Sequence, residues 1–258
     1  MLLSKAQIAR YSRNIVLPAV GEEGQRKLLS SSVLVIGVGG LGSPALFYLA
    51  AAGVGTLGVV DNDVVDYSNL QRQILHATPD LGIDKIESAS SKLKQLNPDC
   101  NIIQHSLRVN SKNILNLIEP YDVVLDCTDN FPARFLANDA CVIAGKTLIH
   151  AGVSQFAGQA MTIVPGEGPC YRCIFSEPPP PGLVPGGKEA GILGCVAGTL
   201  GTMQAAEAIK IILGIGSPLI GKMVIYDALE MQFRRVSIPW DKDCAVCGDN
   251  PTITQLTD

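Results

Sequence analysis

The sequence has no run of lysine or arginine and no acidic tail, and its 258 residues carry a formal net charge of only -4. An electrostatic nucleic-acid surface needs a basic patch or stripe, so nucleic acid is not an expected partner. The opening stretch, MLLSKAQIARYSRN, lacks the apolar h-region and small-residue cleavage site of a secretory leader. A cytoplasmic setting is therefore expected, where the eight cysteines stay reduced and form no disulfide framework. Histidine is scarce, and His76, His105 and His150 show no metal-ligand spacing. No membrane span is expected either. The uncharged stretch 33–60 meets the ~20-residue criterion for crossing a bilayer, but its glycines sit at turn spacing. A second stretch, 191–206, is glycine-rich and closed by Glu207.

What is present is 47% hydrophobic residues, enough for a substantial core in one large domain or two small ones. Residues 4–30 read as polar helix interrupted by Pro18 and Gly21. Short apolar runs at 33–37, 57–61, 101–107, 122–126 and 147–151 read as buried strands. Between them, 43–52 reads as a helix stopped by Gly53, and 85–96 as an amphipathic helix stopped by Asn97 and Pro98. Such alternation predicts a parallel sheet covered on both faces. Beyond about residue 150 the pattern changes, and 153–164 and 222–237 read as tightly connected antiparallel strands. Residues 174–190, IFSEPPPPGLVPGGKEA, predict a long mobile crossover without regular structure. Residues 191–214 read as one long, mostly buried helix. No polar linker marks the change near 150, so the expectation is a single α/β domain over 1–258, Rossmann-type and parallel at first, with antiparallel strands completing one mixed sheet.

Gly37-Val-Gly-Gly-Leu-Gly42 matches G-x-G-x-x-G between a strand and a helix. Glycines at 37, 39, 40 and 42 let backbone approach phosphates, and the helix N-terminus supplies N–H donors and partial positive charge. Asp61 closes the next strand, where an acid can hydrogen-bond a ribose hydroxyl. Taken alone, the turn suits NAD, or serves only strand–helix packing. The following segment favours ATP. Asn69 and Arg72 lie just beyond the Asp61 strand, Lys85 opens a helix, and Asp129 lies past the fourth strand. A dinucleotide's pyrophosphate is well served by the helix N-terminus, whereas a triphosphate with Mg2+ needs further cations and a carboxylate. Singly, each of these residues also fits a solvated surface charge.

Cys170/Cys173 and Cys244/Cys247 form two C-x-x-C pairs. Together they can supply four thiolates to one tetrahedral Zn2+ with no open position, which makes the site structural. The alternatives are two redox pairs or four ordinary buried thiols.

From 8 to 248 the sequence resembles the ThiF/MoeB/HesA family, bacterial and archaeal relatives of ubiquitin-activating enzymes, and its MoeB-like members above all. The resemblance is carried by Arg10-Tyr-Ser-Arg13, the glycine turn, Ser68-Asn-Leu-Gln-Arg-Gln73, Lys85, Cys127-Thr-Asp-Asn130, both cysteine pairs, and Gly201-Thr-Met-Gln-Ala-Ala-Glu-Ala-Ile-Lys210. It implies ATP-dependent adenylation of the C-terminal glycine carboxylate of a small ubiquitin-fold sulfur-carrier protein ending in Gly-Gly. The products are an acyl-adenylate and pyrophosphate, and a separate donor protein supplies sulfur in a molybdopterin- or thiamine-type pathway. Asp61 would bind ribose, Asn69, Arg72 and Lys85 the phosphates, and Asp129 Mg2+. Arg13 would reach into the site of the other subunit, hence a homodimer. Asp63, Ser68, Leu70, Gln71 and Asn130 are carried over as nucleotide-binding positions. Residues 1–150 become the nucleotide half, and 151–258 the carrier-binding and zinc half. One departure matters: Gly187 stands where some members carry a crossover cysteine, so no obligatory enzyme thioester is expected. Cys127 and Cys195 are expected to be buried, inert thiols, and Trp240 a packing residue. An NAD-dependent oxidoreductase or a non-catalytic carrier-binding module would leave Arg72, Lys85 and Asp129 unexplained.

Overall fold

The short apolar runs form strands β1 (Ser32–Ile36), β2 (Thr56–Asp61), β3 (Asn101–Ser106), β4 (Val123–Asp126) and β5 (Thr147–Ser154), all parallel. β6 (Ala157–Ile163), β7 (Lys222–Asp227) and β8 (Gln232–Ser237) continue the same sheet antiparallel, in the order β3-β2-β1-β4-β5-β6-β7-β8. The computed structural model describes residues 2–180, 183 and 190–257. Over these residues the mixed sheet is the one the sequence indicates. One boundary differs. Residues 153–154 belong to β5, and the chain reverses at Gln155 and Phe156, with Gln155 at φ 52. Neither residue announces a turn, which is why the pattern places the break earlier.

Successive strand residues point to opposite faces. Val33, Val35, Leu57, Val59 and Leu125 pack under α3 (Gly21–Ser30), α4 (Gly42–Ala52), α5 (Lys85–Leu96) and α8 (Gly194–Leu213). Leu34, Ile36, Val60, Val124 and Leu148 pack under α6 (Ile114–Ile118) and α7 (Phe131–Ile143). Two small helices, α1 (Lys5–Arg10) and α2 (Ser12–Ile15), precede this core. The order reverses where β4 joins β1 on the side away from β2, and that topology opens a crevice at the carboxyl ends of the strands. No helix among the described residues is long and apolar enough to cross a membrane.

The β1–α4 turn fits only glycine at two places. Gly37 has φ 99, and a Cβ at Gly42 would lie 2.0 Å from the Gly37 carbonyl oxygen. We expect Gly42→Ala to lower unfolding free energy by roughly 3 kcal/mol, the range of severe overpacking, in a denaturant titration. A loss below about 1 kcal/mol would mean that the turn relaxes.

The helix read at 191–214 begins at Gly194. This corrects the expected burial of Cys195, which is exposed. The backbone of Gly194 backs onto the Gln71 carbonyl, where a Cβ would sit at 2.4 Å, and the buried stripe starts only at Val196. Of the crossover, residues 174–180 contain no helix or strand. Gly187 and its neighbours at 181–182 and 184–189 lie outside the described residues.

Candidate active site

A cleft of about 1630 Å3 opens at the carboxyl end of the sheet. It gathers Gly37, Gly39, Gly40, Asp61, Asp63, Ser68, Asn69, Arg72, Lys85, Asp129 and Asn130 from separate parts of the chain. Gly42, Leu70, Gln71 and Arg13 are not among its lining residues. Gly42 packs against the turn, Gln71 supports α8, and Arg13 is exposed on α2.

Asp61 ties the glycine turn to the following loop. Its carboxylate accepts the Val38 N–H at 2.8 Å and the Asp63 N–H at 2.9 Å. A carboxylate offers about four acceptor positions, so capacity remains for a ribose hydroxyl. The Asp66 side chain caps the turn at 67–69 by accepting the Ser68 N–H at 2.8 Å, while Asn69 Oδ1 accepts the Asp66 N–H at 3.2 Å. Arg72 donates to the Ser68 carbonyl at 3.1 Å. Lys85 Nζ lies 2.9 Å from Asp63 Oδ2; the lysine side chain is 7% exposed and its partner's 64%. Asn130 Oδ1 accepts the Ala133 N–H at 2.9 Å and so caps α7. Asp129 is exposed to the cleft.

Two buried histidines brace this rim, and neither role is visible in the linear sequence. His76 Nε2 donates to the Val38 carbonyl at 3.2 Å, and Nδ1 accepts from Ser88 Oγ at 2.8 Å. Burial pushes its pKa down, so the neutral ring tethers the glycine turn. His150 Nδ1 donates to Asp126 at 2.7 Å across two paired strands, and Thr128 Oγ1 adds a 2.6 Å bond to the same carboxylate. Burial alone would raise the Asp126 pKa. The bonds from His150 and Thr128 and the charge of Arg134 hold it below the usual range. Burial lowers the pKa of His150 despite its acidic partner. The pair is thus carboxylate and neutral imidazole, under the segment that carries Asp129.

Both shifts make acid destabilising. His150 resists a proton that the unfolded chain accepts, so stability falls as pH drops below about 6.5. Asp126 is stabilising above about 3.8, and its contribution is lost as pH falls through the lower folded value. We expect the melting temperature of the wild-type chain to fall between pH 7 and 5 more steeply than that of His150→Asn. Parallel profiles would refute the assignment.

The second cluster lies on the α6/α7 face. The sulfurs of Cys170, Cys173, Cys244 and Cys247 all lie within 4.8 Å of one another. Cys170 and Cys244 are 3.6 Å apart, Cys173 and Cys247 3.4 Å. A disulfide requires about 2.05 Å, whereas four thiolates about 2.3 Å from a shared Zn2+ stand roughly 3.8 Å from one another. The cluster therefore fits a tetrahedral cation. Its bond to Cys173 pushes the Cys170 thiol up, and the same bond pulls Cys173 down. Neighbouring groups hold the loops in place. Arg172 makes two 2.8 Å bonds to Asp139, Tyr171 N–H donates to Asn138 at 2.8 Å, and the partly exposed Trp240 donates to the Cys247 carbonyl at 3.0 Å. Cys127 is buried, with its thiol 3.3 Å from Gln204 Oε1, and burial pushes its pKa well up, as an inert thiol requires.

Residues 11–246 match the ThiF family. The chain is 48% identical over 263 residues to a sulfur carrier protein adenylyltransferase of Thermus thermophilus, covering 100% of this chain and 97% of that one. It is 49% identical over 247 residues to the SAMP-activating enzyme E1 of Haloferax volcanii, covering 96% and 91%. The structure of E. coli MccB with ATP superposes with a TM-score of 0.79 at 26% identity, covering 93% of this chain and 73% of that one.

Proposed function

The chain belongs to the ThiF family, and from that premise we propose that it uses ATP to adenylate the C-terminal glycine carboxylate of a small ubiquitin-fold sulfur-carrier protein ending in Gly-Gly. The observation that carries this reading is the convergence of Arg72, Lys85 and Asp129 on the glycine-turn cleft. An NAD site needs none of the three. The name of the Thermus thermophilus relative points the same way.

A carboxylate oxygen of the carrier attacks the α-phosphorus. The bond from that phosphorus to the bridging oxygen breaks, and pyrophosphate leaves with the electron pair. The attacking group is already ionised at neutral pH, so no general base is required. Asp61 binds the ribose, while Asn69, Arg72 and Lys85 hold the phosphates. Fixed cations in a partly dry cleft stabilise the charge that develops there. The Lys85–Asp63 pair holds the ammonium at the rim before a phosphate competes for it. Asp129, an exposed carboxylate facing the phosphate side, would hold Mg2+, which neutralises phosphate charge when bound. Arg13 is exposed outside its own chain's cleft, which supports its assignment to the partner site of a homodimer. Zn2+ would occupy the Cys170/Cys173/Cys244/Cys247 cluster. With Gly187 in the crossover, sulfur reaches the acyl-adenylate from a separate donor protein, in a molybdopterin- or thiamine-type pathway.

Labelled pyrophosphate should exchange into ATP when the chain, Mg2+ and a Gly-Gly-ending carrier are combined. No exchange with any such carrier would overturn the proposal. Cys195→Ser should leave this exchange unchanged, because attack at the α-phosphorus uses no thiol. A large loss would give the exposed Cys195 a covalent part.

A further inference from the structure

The segment 252–257 lies beyond residue 246, where the family match stops. Five of its residues (Thr252, Ile253, Thr254, Gln255 and Thr257) nevertheless line the same cleft as the glycine turn. It has no helix or strand to hold it there. Two other attachments do. The N–H groups of Thr252 and Ile253 both donate to the Ala245 carbonyl, at 2.9 and 2.8 Å, and Ala245 sits inside the second cysteine pair. Leu256 is half-buried against the apolar cluster of the α6/α7 face, which also takes in Leu107 and Val109.

Leu107 and Val109 line that cleft as well, and they pack against the same cluster as Leu256. They follow β3, whose last residue, Ser106, pairs with Asp61. The chain from Leu107 therefore begins just beyond the ribose-binding acid. The glycine turn and α5, which begins at Lys85, belong to the opposite side of the sheet, with α4 and α8. In the ATP reading the phosphates would lie on that side, and the base would extend toward Leu107 and Val109.

We propose that residues 252–257 form the outer wall of the base end of the cleft, hooked there by the cysteine knuckle, and so help to set affinity for the nucleoside. This rests on reading the cleft as an ATP site. Ordered main-chain anchoring at one end and an apolar anchor near the other keep the wall in place without a ligand. A base resting against it loses apolar surface to water, a gain that a bare phosphate chain does not share.

The test is calorimetric titration of ATP, and separately of tripolyphosphate, into the wild-type chain and a variant truncated after Asn250. A full-length Ile253→Ser/Leu256→Ser variant serves as the second probe should truncation impair folding. We expect the ATP dissociation constant to rise about tenfold, about 1.4 kcal/mol, with tripolyphosphate binding unchanged. Equal ATP affinity in all three proteins overturns the inference. So does an equal loss for both ligands, which would mark a general structural effect. Tighter ATP binding on truncation would make the segment a plug and overturns the inference too. If the wild-type chain binds tripolyphosphate but not ATP, the ATP reading itself fails, and this inference with it.

Discussion

Asp129→Ala is expected to lower carrier-dependent pyrophosphate exchange by about 100- to 1000-fold, the cost of losing one preorganised electrostatic group in a phosphoryl-type site, while the melting temperature stays put. The two halves of that expectation rest on different observations. The residue is exposed to the cleft, and the bonds that fix the end of β4 belong to its neighbours: Asp126 with Thr128 and His150, and Asn130 with α7. Among the described residues no hydrogen bond or ion pair runs to its carboxylate, so stability has little to lose. Activity has much to lose if, as proposed, this carboxylate holds the Mg2+ that neutralises phosphate charge. Arg72→Ala should behave alike. Lys85→Ala should lose exchange too but also some stability, because the lysine side chain is only 7% exposed and its stem is buried. Asp126→Asn supplies the contrast. It should cost stability first, because the carboxylate is fully buried and satisfied by two neighbours. Undiminished exchange in Asp129→Ala would refute the role given to that carboxylate, whereas unchanged cellular function despite lost exchange would favour the non-catalytic carrier-binding reading.

Much of this site is legible in the sequence because its parts are local. The glycine turn, the 68–73 segment and the cysteine pairs each carry their chemistry in consecutive residues. The alternation of strand and helix then puts the carboxyl ends together, and Asp129 with them. What is not legible depends on register or on the path of irregular chain. Asp126 and His150 meet only because β4 pairs with β5 at that residue. His76 meets Val38 across 38 positions, with no periodicity linking them. The exposure of Cys195 turns on which residue begins the buried stripe of α8, and apolar composition alone cannot fix that phase. The segment 252–257 has neither motif nor regular structure, so only its path reveals that it reaches the cleft.

If Zn2+ occupies the cysteine cluster as proposed, stripping it is expected to lower unfolding free energy by about 2–5 kcal/mol, the range for losing a covalent crosslink in a small domain. Structural Zn2+ in isolated fingers contributes more, roughly 10 kcal/mol, because there the apo chain has no other core. Here the sheet and both helix layers bury extensive apolar surface away from the cluster, so only the cluster's own share is at stake. That share includes the junction of the crossover, near Cys170 and Cys173, with the C-terminal pair at Cys244 and Cys247. Without a cation, thiolates this close repel one another, and burial disfavours their charge. They would be retained as thiols that pack poorly and release the loops they join. A chelator-treated sample should therefore melt earlier and recover on addition of Zn2+, and Cys244→Ala should melt early at any metal concentration. Pyrophosphate exchange at saturating ATP and low temperature should persist in the stripped protein, because none of the four sulfurs lines the cleft. If stripping leaves the melting temperature unchanged while oxidants and reductants move it, the cysteines are two redox pairs, and the cluster owes its geometry to packing rather than to a cation.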